Sequence, residues 1–387
     1  MKPTNTLFSG LGTTIFTVMS QLAVEHKSIN LGQGFPDGNG PTDVRLKAAA
    51  YLEDRPNQYP PMMGVPELRE AVAQHAKRFY GLDVDWRHEV MVTCGATEAL
   101  AACLLGLINP GDEVILLEPL YDCYLPMVRL AGGIPILVQL KPPHWELPRA
   151  ALAAAFSDKT KAILVNSPMN PAGKVFTAEE LSFIAELVTR YDAYAICDEV
   201  YEHLIFDGHK HEPLMCLSGM RERCARIGSA GKTFSLTGWK VGYVTAPPAI
   251  LQTAAKAHQF LTFTTAPNLQ RAVAYGLGKD DAYFHALADD LQRKRDIFAS
   301  GLRRSGFDVL PAQGTYFLTA DFSPLGFQGD DVAFCHHLTC DAGVTPIPVS
   351  AFYEGHGPRS FVRFAFCKED DVLEAALDRM ARRFAKK

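Results

Sequence analysis

The feature of the sequence that most constrains the fold is a series of short apolar runs, which alternate with helical segments between residues 90 and 245. Such runs, bounded by turn residues, are typical of strands buried on both faces of a parallel sheet. Strands are predicted at 90–93, 113–117, 134–140, 161–166, 194–198, 224–228 and 241–245. Helices are predicted at 66–80, 99–108, 148–156 and 177–191. The pattern therefore predicts an α/β fold, with a mostly parallel sheet sandwiched by helices.

The character of the sequence changes near residue 280, where a long charged helical segment begins. Helices are predicted at 283–305, 330–340 and 369–384, and strands at 315–319 and 361–366. This mixture is typical of an α+β unit. We therefore predict a large domain over residues 41–281 and a smaller C-terminal domain over residues 282–387. Residues 1–40, with a helix at 14–25, are expected to form an N-terminal arm and part of the smaller domain.

Composition excludes several classes of partner. The net charge of -5 and the scattered basic residues argue against nucleic acid. Nine cysteines, without a Cys-x-x-Cys pair, indicate reduced thiols rather than a disulfide framework. We expect no metal site, because the close histidine pairs 209/211 and 336/337 suit surface or packing roles. Apolar segments 15–19 and 99–108 are too short for a secretory signal or a membrane span. A cytoplasmic protein is expected, with no membrane partner.

Polar residues with the chemistry of a binding site follow the ends of predicted strands. Thr97, Asn170, Asp198 and Ser229 lie at such ends. Because ligands of open α/β sheets bind beyond the carboxyl ends of the strands, these residues are candidates for one common site. Lys232 comes shortly after Ser229, in a glycine-rich stretch.

The residue types suit a cofactor that carries an aldehyde, a pyridine ring and a phosphate, such as pyridoxal phosphate. Lys232 could form an imine with the aldehyde, Asp198 could pair with the protonated ring, and Lys240 could bind the phosphate. Backbone N–H groups of 95–97, at the start of a helix, would form an anion site. Each residue also has a plainer interpretation: an exposed lysine in a flexible turn, a helix-capping aspartate or threonine, or a turn asparagine.

Two stretches of the sequence resemble nucleotide-binding motifs but do not match them. The stretch 228–233 resembles a phosphate-binding P-loop, but Arg226 stands where that loop needs a glycine, and Gly238 and Gly242 would break the helix that must follow. Gly32 and Gly34 resemble part of a dinucleotide fingerprint, but Pro36 interrupts it. We therefore reject a nucleotide-binding fold.

Six motifs in order make the chain similar to a known family over nearly its whole length. They are Asn-Leu-Gly-Gln-Gly-Phe-Pro-Asp (30–37), Gly-Ala-Thr-Glu-Ala (95–99), Asn-Pro-Ala-Gly (170–173), Cys-Asp-Glu-Val-Tyr-Glu (197–202), Gly-Lys-Thr-Phe-Ser-Leu-Thr-Gly-Trp-Lys-Val-Gly (231–242) and Val-Arg-Phe (362–364). The chain resembles the class I/II pyridoxal-phosphate aminotransferases of fold type I, and within them the kynurenine and methionine aminotransferases. The resemblance implies pyridoxal 5'-phosphate as cofactor and a homodimer with shared active sites.

The resemblance also implies a role for each candidate residue that contacts the cofactor. Lys232 would be the imine lysine and proton shuttle, and Asp198 would pair with the pyridinium. Asn170 and Tyr201 would bond the phenolic oxygen, and Tyr121 would stack on the ring. The residues that would hold the phosphate are Ala96, Thr97, Ser229 and Lys240.

A second set of residues is implied to bind the substrate or to enter from the partner subunit. Arg363 would bind the substrate α-carboxylate through a bidentate fork, with Asn170 and the Gly34 backbone beside it. From the partner chain, Tyr59 would bind the cofactor, and Phe263 with Thr264 would bind the substrate. The positions that match the substrate side-chain pocket of kynurenine-type enzymes are Phe16, Tyr121 and Phe263.

The implied function is transamination in amino-acid metabolism. An L-amino acid of the methionine, aromatic or kynurenine type would exchange its amino group with a 2-oxo acid by a ping-pong mechanism. No second arginine is evident for a dicarboxylate, so an aspartate-specific enzyme is not expected. Two alternatives stay open: a cysteine-S-conjugate β-lyase on the same cofactor, and an inactive protein of this fold with a binding or regulatory role.

Overall fold

The structure is a computed structural model, and it describes residues 2–384. The first part of the chain is mostly helical: α1 Thr6–Ser9, α2 Ile15–Glu25, β1 Ile29–Asn30, α3 Thr42–Asp54, α4 Pro66–Tyr80 and α5 Trp86–Glu89. Helix α2 begins where the Thr14 hydroxyl accepts a hydrogen bond from the N–H of Thr17. Helix α4 has Pro66 in its first turn and ends at Gly81, whose φ of 65° is left-handed.

A seven-stranded sheet forms the centre of the molecule. Its strands and the intervening helices are β2 Val90–Thr93, α6 Ala96–Leu107, β3 Glu113–Glu118, α7 Tyr124–Leu130, β4 Ile134–Gln139, α8 Arg149–Ala155, β5 Thr160–Asn166, α9 Ala178–Arg190, β6 Tyr194–Asp198, β7 Cys224–Ser229, α10 Ala230–Thr233 and β8 Gly242–Thr245. The strand order is β2-β8-β7-β6-β5-β3-β4, and only β8 runs antiparallel to its neighbours. The predicted α/β fold with a mostly parallel sheet is confirmed.

Burial on both faces explains why these strands are continuous apolar runs. In β5, Ile163 and Val165 belong to one hydrophobic cluster, whereas Ala162 and Leu164 belong to another on the opposite face. Since strand residues alternate between faces, each position meets a core. Covering helices are set by local signals as well: Thr177 and Glu180 form the predicted capping box that begins α9.

The chain then leaves the sheet and builds a second one. The remaining elements are α11 Pro248–Leu261, α12 Pro267–Leu277, α13 Asp281–Arg304, β9 Asp308–Val309, β10 Phe317–Asp321, α14 Asp331–His337, β11 Val344–Thr345, β12 Ile347–Pro348, β13 Phe361–Ala365 and α15 Asp370–Phe384. The second sheet is antiparallel, in the order β12-β13-β10-β9. The helix predicted at 330–340 is α-helical only to His337, and continues as a wider π-helical turn, Leu338–Ala342, before Gly343 at φ 70°.

The N-terminal segment joins this second unit rather than the large sheet. Strand β1 pairs in parallel with β11, through Ile29 opposite Val344 and Asn30 opposite Thr345. On this basis we propose the division into an arm at 1–40, a large domain at 41–281 and a smaller domain at 282–387. Within residues 2–384, every helix is too short or too polar to cross a lipid bilayer.

Candidate active site

A cavity of about 360 Å³ lies at the carboxyl ends of the central strands and is also lined by residues of the second sheet. Its volume is in the range of small-molecule sites. All but three of the predicted site residues line it: Phe16, Gly34, Ala96, Thr97, Tyr121, Asn170, Asp198, Tyr201, Ser229, Lys232, Lys240 and Arg363. The fold therefore brings together residues that are hundreds of positions apart in the chain.

Lys232 is carried into the cavity by α10, which follows β7 directly. Burial lowers the pKa of its ε-amine to about 8. The amine donates a hydrogen bond to the hydroxyl of Tyr316, with Nζ and Oη 2.8 Å apart. An amine with this pKa is present in both protonation states near neutral pH, so it can accept and return a proton.

Asp198 is the last residue of β6 and is only 4% exposed. Its Oδ2 accepts a hydrogen bond from the Tyr124 hydroxyl at 2.6 Å, and Oδ1 accepts a long one from the N–H of Val200. Burial raises the pKa of the carboxyl, although Tyr124 and the charge of Lys232 act in the opposite direction. A ligand that brings a positive charge to this carboxylate would offset its desolvation. Tyr124 was missed by the sequence analysis, since nothing in its local pattern links it to Asp198.

Arg363 lies in the middle of β13, where it is opposite Thr319 of β10 and Ile347 of β12. Its guanidinium is 1% exposed and donates to Oδ1 of Asn170 at 2.9 Å and to the carbonyl of Gly32 at 2.7 Å. Burial lowers the pKa of this guanidinium to about 10. Its Nε has no hydrogen-bond partner, and it pairs with no carboxylate among the described residues.

A buried cation without a counter-ion is costly, so an anionic ligand would stabilise Arg363. Aromatic rings surround the guanidinium: its carbon lies 3.9 Å from the ring centre of Phe317 and 5.3 Å from that of Phe16. Apolar walls of this kind exclude water and strengthen the attraction for an anion.

Four further lining residues form a group whose chemistry suits an anion, and we call this group the phosphate site: Ala96, Thr97, Ser229 and Lys240. Ala96 and Thr97 begin the twelve-residue helix α6, whose first backbone N–H groups lack intrahelical partners. Gly95, at φ 81°, lets Lys240 approach, because a Cβ there would lie 3.1 Å from Lys240 Nζ. A Cβ on Gly242 would lie 2.6 Å from the Gly95 carbonyl carbon, so only glycine allows this closure.

The three remaining predicted residues lie outside the cavity of their own chain. Tyr59 is 84% exposed and Phe263 is 39% exposed, and their rings contact edge to face with centres 5.5 Å apart. Thr264 is next to Phe263, and its carbonyl accepts a hydrogen bond from the thiol of Cys94. Phe260, three positions before Phe263 in the chain, is also 84% exposed. These residues form a surface patch rather than part of the described cavity.

Behind the cavity wall lies a buried ionic network that the sequence analysis did not predict. The Arg226 guanidinium donates to Glu199 and Glu202, and all three side chains are at most 3% exposed. Asp198 and Tyr201 line the cavity, whereas Glu199 and Glu202 point to Arg226, so the network fixes the segment that carries the site residues.

A histidine pair adjoins this network. His75 and His203 are in hydrogen-bond contact, with their Nε2 atoms 2.7 Å apart, and Glu202 lies close enough for the three to resemble a metal-binding group. Burial lowers the pKa of His75 to about 4, which keeps it neutral. Because Glu202 already pairs with Arg226 and accepts from Tyr80, we interpret the group as packing.

Comparison with known proteins places the chain among enzymes of amino-acid metabolism. Residues 26–380 match the profile of the family described as aminotransferase class I and II. A methionine aminotransferase of Escherichia coli (strain K12) is 41% identical over 370 residues, or 96% of each chain. A kynurenine–oxoglutarate transaminase of Dictyostelium discoideum is 39% identical, covering 96% of this chain and 94% of its own. The solved structure of N-succinyldiaminopimelate aminotransferase from Mycobacterium tuberculosis superposes with a TM-score of 0.95, at 43% identity, over 98% of this chain and 100% of the other.

Proposed function

The chain belongs to the class I and II aminotransferases, and from this premise we propose that its cavity binds pyridoxal 5'-phosphate and an L-amino acid of the methionine, aromatic or kynurenine type. The observation that carries the proposal is the distribution of charge in one cavity. The cavity is lined by the buried carboxylate of Asp198, which has no cationic hydrogen-bond partner, and by the amine of Lys232, whose pKa is lowered. It is also lined by two groups that suit anions, Arg363 and the phosphate site.

These features fit the cofactor group by group. The phosphate site suits the phosphate, and Asp198 suits the ring nitrogen, which it would keep protonated. Tyr201 and Asn170 line the same cavity and suit the phenolic oxygen, and Tyr121 suits the ring face. When bound, pyridoxal phosphate supplies an electron sink that stabilises negative charge at the substrate Cα.

Side chains of the protein would then bind the substrate and transfer its Cα proton. Arg363 would hold the α-carboxylate, with the Gly34 backbone beside it. The ε-amine of Lys232, once free, would take the Cα proton as a general base and return it as a general acid. Its pKa of about 8 suits both steps near neutral pH.

The lining of the cavity supports an apolar, monocarboxylic substrate. Its only cationic side chains are Lys232, Lys240 and Arg363, and each already has a role. Phe16 and Phe317 supply aromatic walls, and Asp122 would repel a second carboxylate. A substrate panel scored by kcat/KM tests this: methionine, phenylalanine and kynurenine should exceed aspartate. A preference for aspartate would contradict the proposed specificity.

Neither alternative function is favoured. The relatives compared above are named as aminotransferases, and the residues for each chemical role are present, whereas an inactive descendant would be expected to have lost Lys232 or Asp198. Release of pyruvate from a cysteine conjugate would measure β-lyase activity separately from transamination.

Replacing Arg363 with methionine should raise KM for amino acids by about 100-fold, because hydrogen bonds to a charged group are each worth about 1.5–3 kcal/mol. Amines that lack a carboxylate should be turned over as before. Arg359→Met is the matched control, since Arg359 is exposed and only reaches Asp330. Equal losses for amino acids and simple amines would rule out carboxylate binding by Arg363.

We further propose a homodimer in which Tyr59, Phe263 and Thr264 complete the active site of the partner subunit. The exposure of Tyr59 and Phe263 supports this arrangement, because exposed aromatic residues in contact with one another mark interaction sites. A two-fold interface would place the same patch beside both cavities.

Hybrid dimers test this arrangement. A Lys232→Ala subunit and a Tyr59→Ala subunit, carrying different tags and purified by both, should regain about half of the wild-type activity per dimer, because one of two sites is then intact. If Tyr59 acts in its own chain instead, the hybrid will be no more active than the Tyr59→Ala homodimer.

A further inference from the structure

Tyr316 lies between two parts of the proposed active site without belonging to either. It is 1% exposed, and its hydroxyl accepts a hydrogen bond from Lys232 Nζ at 2.8 Å. The same hydroxyl donates to the carbonyl oxygen of Gly34 at 2.6 Å. Tyr316 therefore connects the lysine on α10 with the loop that is expected to contact the substrate carboxylate.

The direction of these hydrogen bonds follows from the number of protons available. A tyrosine hydroxyl has one proton, and a backbone carbonyl can only accept, so the Tyr316 proton points at Gly34. The oxygen of Tyr316 must then accept from the lysine. A neutral amine that donates one proton to Tyr316 keeps its lone pair free, and that hydrogen bond leaves the lone pair only the two remaining tetrahedral directions.

The backbone beside Tyr316 is strained, which is a second and independent indication of function. Thr315 has φ 69°, a left-handed conformation that is rare for a β-branched residue. It is held by a hydrogen bond from its N–H to the Leu204 carbonyl at 2.8 Å. Gly314 before it admits no side chain, since a Cβ would lie 2.8 Å from the Leu204 oxygen. Strain of this kind concentrates at functional sites.

The ring of Tyr316 is fixed by aromatic neighbours. It contacts Tyr201 edge to face, with centres 5.3 Å apart, and Phe317 with centres 4.8 Å apart. A ring held on these sides presents its hydroxyl at one place, so the lysine amine meets a pre-organised acceptor.

We propose that Tyr316 is a positioning residue, which holds the free ε-amine of Lys232 and directs its lone pair toward the substrate Cα. The proposal rests on the proposed function, because it gives Lys232 the role of general base. It adds a residue that none of the roles above uses.

The kinetic test is Tyr316→Phe, which deletes one oxygen and keeps the ring. We expect kcat to fall about 10- to 100-fold with amino-acid KM changed less than threefold, because a positioned general base contributes about 10²–10⁴-fold. The control is Tyr283→Phe, whose hydroxyl binds the Thr233 carbonyl on the same helix α10 without touching the amine. Wild-type kcat in Tyr316→Phe would overturn the proposal.

A second measurement does not require the protein to have its cofactor bound. Cyanate carbamylates neutral amines. The rate of carbamylation at Lys232 in the cofactor-free full chain, measured by peptide mass as a function of pH, therefore reports the pKa of this amine. The wild-type midpoint should lie near pH 8. Burial is the largest influence and lowers this pKa; Cys367 and Asp198 raise it, Lys240 and Arg363 lower it, and the substitution removes none of these four groups.

In Tyr316→Phe the ammonium form of Lys232 loses a hydrogen-bond acceptor. The midpoint of the carbamylation profile should therefore fall by about one pH unit, which corresponds to about 1.4 kcal/mol, close to the energy of one hydrogen bond to a charged group. Tyr283→Phe should keep the wild-type midpoint. A lower melting temperature with an unchanged midpoint would make Tyr316 merely structural and overturn the proposal. Failure of the proposed function would differ, because the wild-type protein itself would then not transaminate.

Discussion

Replacement of Lys232 with alanine is expected to lower kcat for transamination by at least about 10⁴-fold, because under the proposed function it removes both the lysine that would attach the cofactor and the general base. The surrounding groups would remain, so the variant should still fold and should still bind pyridoxal phosphate through the phosphate site and Asp198. The measurement is single-turnover conversion of methionine to its 2-oxo acid at saturating cofactor.

Lys256→Ala provides the control for this experiment, since Lys256 is exposed on α11 and is not among the lining residues of the cavity. It should keep wild-type kcat. A Lys232→Ala protein whose kcat stays within tenfold of wild type would show that another group moves the Cα proton, and the roles assigned above would be wrong.

Replacement of Arg226 with methionine is expected to lower the free energy of unfolding by about 3–5 kcal/mol, because the loss of one partner leaves buried charges uncompensated. Glu199 and Glu202 would both lose their guanidinium, in a region where neither is more than 3% exposed. Urea unfolding at a fixed protein concentration measures the effect. Arg223→Met is the control. Arg223 pairs with Asp192 at the surface, so its replacement should lower the free energy of unfolding by about 1 kcal/mol or less.

The pH dependence of this loss has a definite sign. Burial raises the pKa of the Glu202 carboxyl, but the charge of Arg226 and other neighbouring groups lower it by more, so this pKa is well below its ordinary value. In the wild-type protein this stabilisation is present above the ordinary glutamate pKa and is lost as the pH falls. Without the arginine, burial raises the pKa of the carboxyl. The difference in stability between the two proteins should therefore shrink as the pH falls through about 5. A difference that stays constant from pH 8 to pH 4 would contradict a charge-based origin.

The central sheet could be predicted from the sequence because its signals are local. Runs such as 194–197 are apolar at every position, since both faces of β6 are buried, and the observed strand, which ends with Asp198, begins and ends at the predicted residues. The capping box at Thr177 likewise depends on residues three positions apart. Helices α3, α11 and α12 were not predicted. In α3 the buried residues are only Val44 and Ala48, so its apolar stripe is too narrow to be recognised.

The residues that line the cavity could be predicted where a family motif contained them, but the contacts that support them could not. Tyr124 with Asp198 and Tyr316 with Lys232 join residues 74 and 84 positions apart, and no spacing rule links them. Arg226 illustrates the same limit: in the sequence it served only to exclude a P-loop, whereas in the fold it is the centre of a buried ionic network. The Arg226 contacts arise from strand order, which brings β7 beside β6 and the glutamates that follow it.

The role assigned to Lys232 requires that its ε-amine, and no other amine of the chain, attaches the cofactor. The most direct measurement is borohydride reduction of the protein mixed with pyridoxal 5'-phosphate, followed by peptide mass spectrometry. We predict that the added cofactor mass will be found on the peptide containing Lys232. Cofactor mass attached to a different lysine, or to none, would contradict the account.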